Sequence, residues 1–130
     1  MATFSSFLAV GLGSALGGMA RFGLMRWGDR SWGTGFPWMT LLINVSGSLL
    51  IGVLLAWFAS RNSVRESPAL SAFAMSGFCG GFTTFSAFSL QTLELLRAGR
   101  IGAAGANAAL SVVLCVAAAG GGWLVGTRLR

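Results

Sequence analysis

The sequence predicts an all-α membrane protein with four transmembrane helices per subunit, the third of them broken mid-membrane. Three observations predict it. Of the 130 residues, 55% are hydrophobic and only 9% are charged, against about 25% charged in a soluble domain. A chain of this size has no core large enough to hide so much apolar surface. The apolar residues fall into four runs, each reaching the ~20 residues that cross a ~30 Å hydrocarbon core.

The runs extend from about Phe4 to Met25, Pro37 to Ser60, Pro68 to Leu96 and Gly102 to Gly126. The connectors Asp29 to Gly35, Arg61 to Ser67 and Arg97 to Arg100 are short and carry turn and charge signals. Residues 1–130 therefore read as one four-helix domain without a linker. No basic residue precedes the first run, so a cleaved signal peptide is not expected. Much of the glycine lies inside the spans. Gly13 and Gly17, and Gly122 and Gly126, each make a small face of the kind that lets membrane helices approach closely.

The positive charge is carried by nine arginines and no lysine. A pI near 11.7 raises the question of nucleic acid. The arginines, however, sit singly between apolar runs and form no phosphate-binding stripe, so no nucleic-acid partner is expected. They read as interfacial anchors in contact with membrane lipid. With four spans, Arg26, Arg30, Arg97 and Arg100 fall on one side, and Arg61, Arg65, Arg128 and Arg130 on the other. Arg21 is left inside the first span. The positive-inside rule needs an imbalance. A four-against-four balance predicts insertion in both orientations, a natural precursor of an antiparallel, dual-topology homodimer; a monomer oriented by some other feature is the alternative.

Enzyme chemistry is argued against by composition. His, Lys and Tyr are absent, and the carboxylates Asp29, Glu66 and Glu94 lie at or near span ends. No base stands ready to activate a Ser or Thr, and no nucleotide motif is present. Cys79 and Cys115 have no CxxC spacing and no His beside them, so neither a zinc site nor a disulfide is expected.

The third run carries Gly80-Gly81-Phe82-Thr83-Thr84-Phe85-Ser86-Ala87-Phe88-Ser89, a poor continuous helix. Irregular backbone at membrane depth survives only when buried in protein or lining a cavity. A break frees carbonyl oxygens that can ligate a small hard cation; a packing kink is the alternative. Phe85 and Phe88 lie near one helix face, Gln91 continues it and Thr84 flanks it. Aromatic ring edges are positive, so such a face can meet an anion without a fixed charge. Thr40, Asn44 and Ser48 form a polar stripe on the second helix, and Asn107 and Ser111 another on the fourth. Three polar stripes in one small bundle favour an ion path over interhelical glue alone. Arg21 either snorkels to the interface or places positive potential in a vestibule.

These residues together resemble the Fluc (CrcB-like) family of fluoride channels. The third-run segment from Gly80 to Ser89 matches the family's GG-x-TTFSTFS pattern, and Asn44 in Ile43-Asn44-Val45 and Arg21 in Ala20-Arg21-Phe22 match as well. The resemblance covers essentially the whole chain. It implies a passive fluoride channel of the bacterial inner membrane, built as an antiparallel dimer with two anion pores. It also implies a structural Na⁺ at the dimer interface, held by the backbone carbonyls of Gly80 and Thr83. Phe85 and Phe88 would form the family's phenylalanine box, with Asn44 beside the pore and Ser111 as its polar fourth-helix residue. The expected anion path thus takes in Asn44, Thr84, Phe85, Ser86, Phe88, Gln91 and Ser111, with Arg21 as the vestibule residue.

Two positions depart from the family pattern. Ala87 stands where Thr is usual, removing one hydroxyl, and Gln91 stands where Glu is usual. Asn107 is the candidate partner for Gln91. A small dual-topology multidrug or proton-coupled exporter is the alternative transporter. It is disfavoured because such coupling needs an ionisable group within the membrane, and no carboxylate lies mid-span. A non-transporting scaffold would explain the glycines, but not the break, the Phe pair and the polar stripes.

Overall fold

The computed structural model describes residues 4–33, 35–60 and 67–129, and these are mostly helical, with no strand among them. Helix α1 covers Phe4–Trp32 and α2 covers Trp38–Ser60. A rod labelled α3 is built from Pro68–Ser71, a π-helical stretch Ala72–Cys79 and a last turn Gly80–Phe82. Helix α4 covers Phe85–Arg97 and α5 covers Ile101–Arg128.

Three of these, α1, α2 and α5, are long and apolar enough to cross a membrane. Their most apolar windows are only 11%, 33% and 11% buried within the chain. Apolar side chains such as Phe7, Leu12, Phe22, Val113 and Val116 point outward, which water would not tolerate but lipid does. The protein is a multi-pass integral membrane protein. The run expected as the third span is not one continuous helix. At 1.5 Å per residue α4 rises about 20 Å, and α3, whose π-helical stretch rises less per residue, no more than about 22 Å, each short of a ~30 Å core.

Helix α1 runs on past Met25, so Asp29 and Arg30 are helical rather than part of a connector. Hydropathy falls there, but nothing stops the backbone before Gly33, whose φ of 72° supplies the left-handed end. The extension carries Trp27 and Trp32, packed edge to face at 5.7 Å, and Arg30 in the last turn, where a cation suits the helix dipole. The α4–α5 turn is a full Schellman closure. Arg100 N–H donates to the Leu95 carbonyl, Gly99 N–H donates to that of Leu96, and Gly99 has a φ of 71°. Arg100 also donates from Nη1 to the Gly35 carbonyl, so the first and third connectors meet at one end of the bundle. Most of the second connector, residues 61–66, lies outside the described residues, as does Arg130.

Helix α2 packs chiefly along α5, and α1 along α3, with α4 resting on α5. Both main seams are made by small residues. A Cβ on Gly122 would run into the Leu49 carbonyl, and one on Gly17 into the Phe78 carbonyl. Backbone cannot give way as a side chain can. Gly122→Leu is therefore expected to destabilise the chain by about 3 kcal/mol, the upper part of the overpacking range. Gly120→Ala, with no heavy atom within 4 Å of the added methyl, should be near neutral. Tryptophan fluorescence through an SDS titration would compare the two.

Candidate ion site at a helix interruption

Helical dihedrals stop after Phe82 and resume at Phe85. Between them Thr83 (φ −82°, ψ 158°) and Thr84 (φ −151°, ψ 113°) are extended. Local chemistry closes both sides of the gap. Thr83 ends α3 by donating from both its N–H (3.0 Å) and its Oγ1 (2.9 Å) to the Cys79 carbonyl. Thr84 starts α4 as its N-cap, with Oγ1 accepting from Ala87 N–H at 3.2 Å. Ser86 Oγ lies 3.2 Å from the same Thr84 oxygen.

Asn44 of α2 holds the gap from across the bundle. Its Oδ1 accepts from Thr84 N–H at 2.8 Å, and its Nδ2 donates to the Thr84 carbonyl at 3.1 Å. This two-point clamp imitates a strand partner for one residue. It uses the oxygen and one N–H of the amide and leaves the second N–H available. On the α1 side, Arg21 donates from Nε to the Gly81 carbonyl at 3.1 Å. The guanidinium thus sits at the interruption, where it satisfies an orphaned helix-end carbonyl.

The interruption exposes particular oxygens. In a continuous helix the Gly80 carbonyl would accept from Thr84 N–H, and the Thr83 carbonyl from Ala87 N–H. The first donor is held by Asn44 and the second by Thr84 Oγ1. Gly80 is exposed, and nothing lies within 4 Å of where its Cβ would be. Two peptide oxygens that have lost their helical donors, on residues that line one cavity, suit a hard monovalent cation, which takes oxygen ligands. Among the described residues no cluster of three or more His, Cys, Asp or Glu could hold a metal.

A cavity of about 470 Å³ gathers most of the expected residues: Asn44, Gly80, Thr83, Thr84, Phe85, Phe88 and Ser111, with Ser48 beside them. The Phe85 and Phe88 rings lie 5.1 Å apart and tilted by 52°. Phe85 is 76% exposed, while Phe88 is half-buried. Ser111, only 7% exposed, has a buried Oγ with no hydrogen-bond partner. An unsatisfied buried hydroxyl costs about 1–3 kcal/mol, and Ser111 is one of the residues that line the cavity.

Ser86 and Gln91 do not line this cavity. Gln91 lines a second one, of about 370 Å³, with Thr40, Asp29, Trp32, Glu94 and Arg100. Both Gln91 Oε1 and Thr40 Oγ1 are buried there without partners. Asn107, 2% exposed, donates to Thr92 Oγ1 at 2.9 Å, so the partner of Asn107 is Thr92 and not the oxygen of Gln91. The α2–Thr84 clamp and the second cavity were not visible in the sequence. Only the spacing of Thr40 and Asn44 along one face hinted at them.

A family model described as CrcB-like protein, Camphor Resistance (CrcB), matches residues 8–123, a stretch that contains every residue named for the interruption. The chain belongs to the CrcB-like family. Among its relatives, a protein of Methylocella silvestris named fluoride-specific ion channel FluC is 50% identical over 126 residues, 95% of each chain. One of Bradyrhizobium diazoefficiens, fluoride-specific ion channel FluC 2, is 44% identical over 96% of this chain and 91% of its own. One of Koribacter versatilis, with the first name, is 38% identical over 92% and 94%. The CrcB-like family is one of ion channels, not enzymes, in agreement with the missing bases and nucleophile activators.

Proposed function

We propose that this CrcB-like chain is the subunit of a passive, fluoride-selective channel of the bacterial inner membrane. It works as an antiparallel homodimer with two anion pores and one central sodium ion. The observation that carries the anion path is the unpartnered Ser111 hydroxyl. It shares a cavity with the spare N–H of Asn44 and the tilted Phe85–Phe88 pair. Fluoride is small, strongly hydrated and only accepts hydrogen bonds. Hydroxyl and amide donors can replace its water one at a time, and ring edges extend the track without a charge that would trap it. No Asp or Glu is among the residues lining this cavity, which supports passive flux over proton-coupled export. The choice of fluoride among anions rests on the relatives' names.

The cation part rests on the Gly80 and Thr83 carbonyls. Two oxygens from one chain are too few for a hard cation, and a second copy related by a two-fold axis would double them. Bound there, sodium would supply a fixed positive charge and join the two chains. If only backbone oxygens ligate it, side-chain changes at Thr83 should matter less than disruption of the local turn. The antiparallel arrangement rests on the arginine balance. Reporter fusions at the C-terminus are expected to give signal from both sides of the membrane. A single orientation would remove that support.

The function itself is tested by fluoride-electrode recording of efflux from proteoliposomes, with chloride as competitor. The expected result is rapid fluoride release, unaffected by collapsing the proton gradient and scarcely inhibited by chloride. Flux that vanishes with the proton gradient would instead indicate an exporter, and no flux a scaffold.

A further inference from the structure

We infer that Asn44 is the positioning residue that keeps the cation site open, by holding the backbone donor that would otherwise close it. The inference rests on the proposed cation at Gly80 and Thr83. In a regular helix Thr84 N–H would return to the Gly80 carbonyl. Here it is 2.8 Å from Asn44 Oδ1, while Asn44 Nδ2 grips the Thr84 carbonyl at 3.1 Å. The clamp holds Thr84 at φ −151° and ψ 113°. That conformation lets Thr84 Oγ1 take Ala87 N–H, the donor that would otherwise cover the Thr83 carbonyl. One amide thus controls the exposure of both ligand oxygens.

Arg21 does not share this role. Its Nε bond goes to Gly81, and a guanidinium cannot accept from Thr84. Thr84 belongs to the cavity that Asn44, Phe85, Phe88 and Ser111 line. The residue that would meet the anion is therefore the one that shapes the cation site, so the two ions communicate through a single side chain.

What the inference requires at position 44 is an acceptor. Ala removes it. Asp keeps an oxygen for Thr84 N–H but loses the donor to the Thr84 carbonyl and adds a charge beside the anion path. The experiment measures the melting midpoint of the detergent-solubilised channel against sodium concentration, with N-methylglucamine holding ionic strength constant. Sodium binding the folded state raises that midpoint. Fluoride efflux is measured in parallel.

The parent should show a saturable sodium response. Asn44→Ala, which removes both hydrogen bonds of the clamp to the buried Thr84, should shift its half-saturation upward by about tenfold or more. Asn44→Asp should keep the sodium response while losing efflux. Phe85→Ile, which lies outside the clamp, should keep the sodium response. A parent with no sodium response would overturn the cation reading and this inference together. A responsive parent with an unshifted Asn44→Ala would overturn the positioning role alone. Should Asn44→Ala fail to fold, Asn44→Asp decides. A folded Asn44→Asp protein without a sodium response would show that the acceptor at position 44 is not what holds the site open.

Discussion

Asn44→Asp is expected to lower fluoride efflux by two to three orders of magnitude, the largest single-residue effect. The substitution keeps size and shape and adds one negative charge. An anion passing within about 4 Å of that charge, at an effective dielectric constant of about 20, meets roughly 4 kcal/mol of repulsion. Even half of that, allowing for partial protonation of the acid, gives a drop above tenfold, since 1.4 kcal/mol is a factor of ten in rate. Asn44→Ser, neutral and with a hydroxyl, should be clearly milder in efflux. Initial rates from proteoliposomes at matched protein density would separate them. Equal rates for the parent, Asn44→Ser and Asn44→Asp would mean that the anion does not pass this side chain.

Replacing the phenylalanines comes second. Phe85→Ile or Phe88→Ile keeps apolar bulk but removes the aromatic quadrupole, worth about 1.5 kcal/mol at the upper end for a well-placed ring contact. Each should lower efflux by about tenfold, and the pair together by about a hundredfold if the two rings act on separate steps. Their centroids are 5.1 Å apart, close enough to couple, so a double substitution no worse than either single one would mean that they act as one unit. Gel filtration of each variant should match the parent, because Phe85 is mostly exposed in the subunit and isoleucine keeps apolar bulk at the half-buried Phe88. Parent-like efflux in both single variants would remove the rings from the path.

Much of the architecture was legible because it obeys hydropathy. Helices α2 and α5 begin and end within one or two residues of the apolar runs, and the small-residue faces at Gly13, Gly17, Gly122 and Gly126 are buried in helix seams. The end of α1 was missed because a helix leaving the apolar zone keeps its backbone geometry while its side chains become polar. The first unambiguous stop is Gly33 and not Asp29. The π-helical turns of Ala72–Cys79 were also missed, since one extra residue per turn leaves no mark on a uniformly apolar segment.

The site was legible in its residue types but only partly in its grouping. Phe85, Phe88 and Gln91 are three apart, and each step of three falls about 60° short of a full helical turn. Across two steps the face rotates by about 120°, enough to carry Gln91 into a different cavity. Asn44 was legible as a polar membrane residue. Its bonds to Thr84, forty positions away in the chain, were not, because no local pattern encodes which backbone amide an internal side chain will meet. Asn107 shows the same limit. Burial was foreseeable, and Thr92 as the partner was not.

The most direct test is the reversal potential of the reconstituted protein in a planar bilayer, under opposed gradients of fluoride, chloride and protons. A fluoride channel gives a current that reverses at the fluoride equilibrium potential and stays there when the chloride or the proton gradient is inverted. A reversal potential that follows chloride or protons would contradict a fluoride-selective, uncoupled pore.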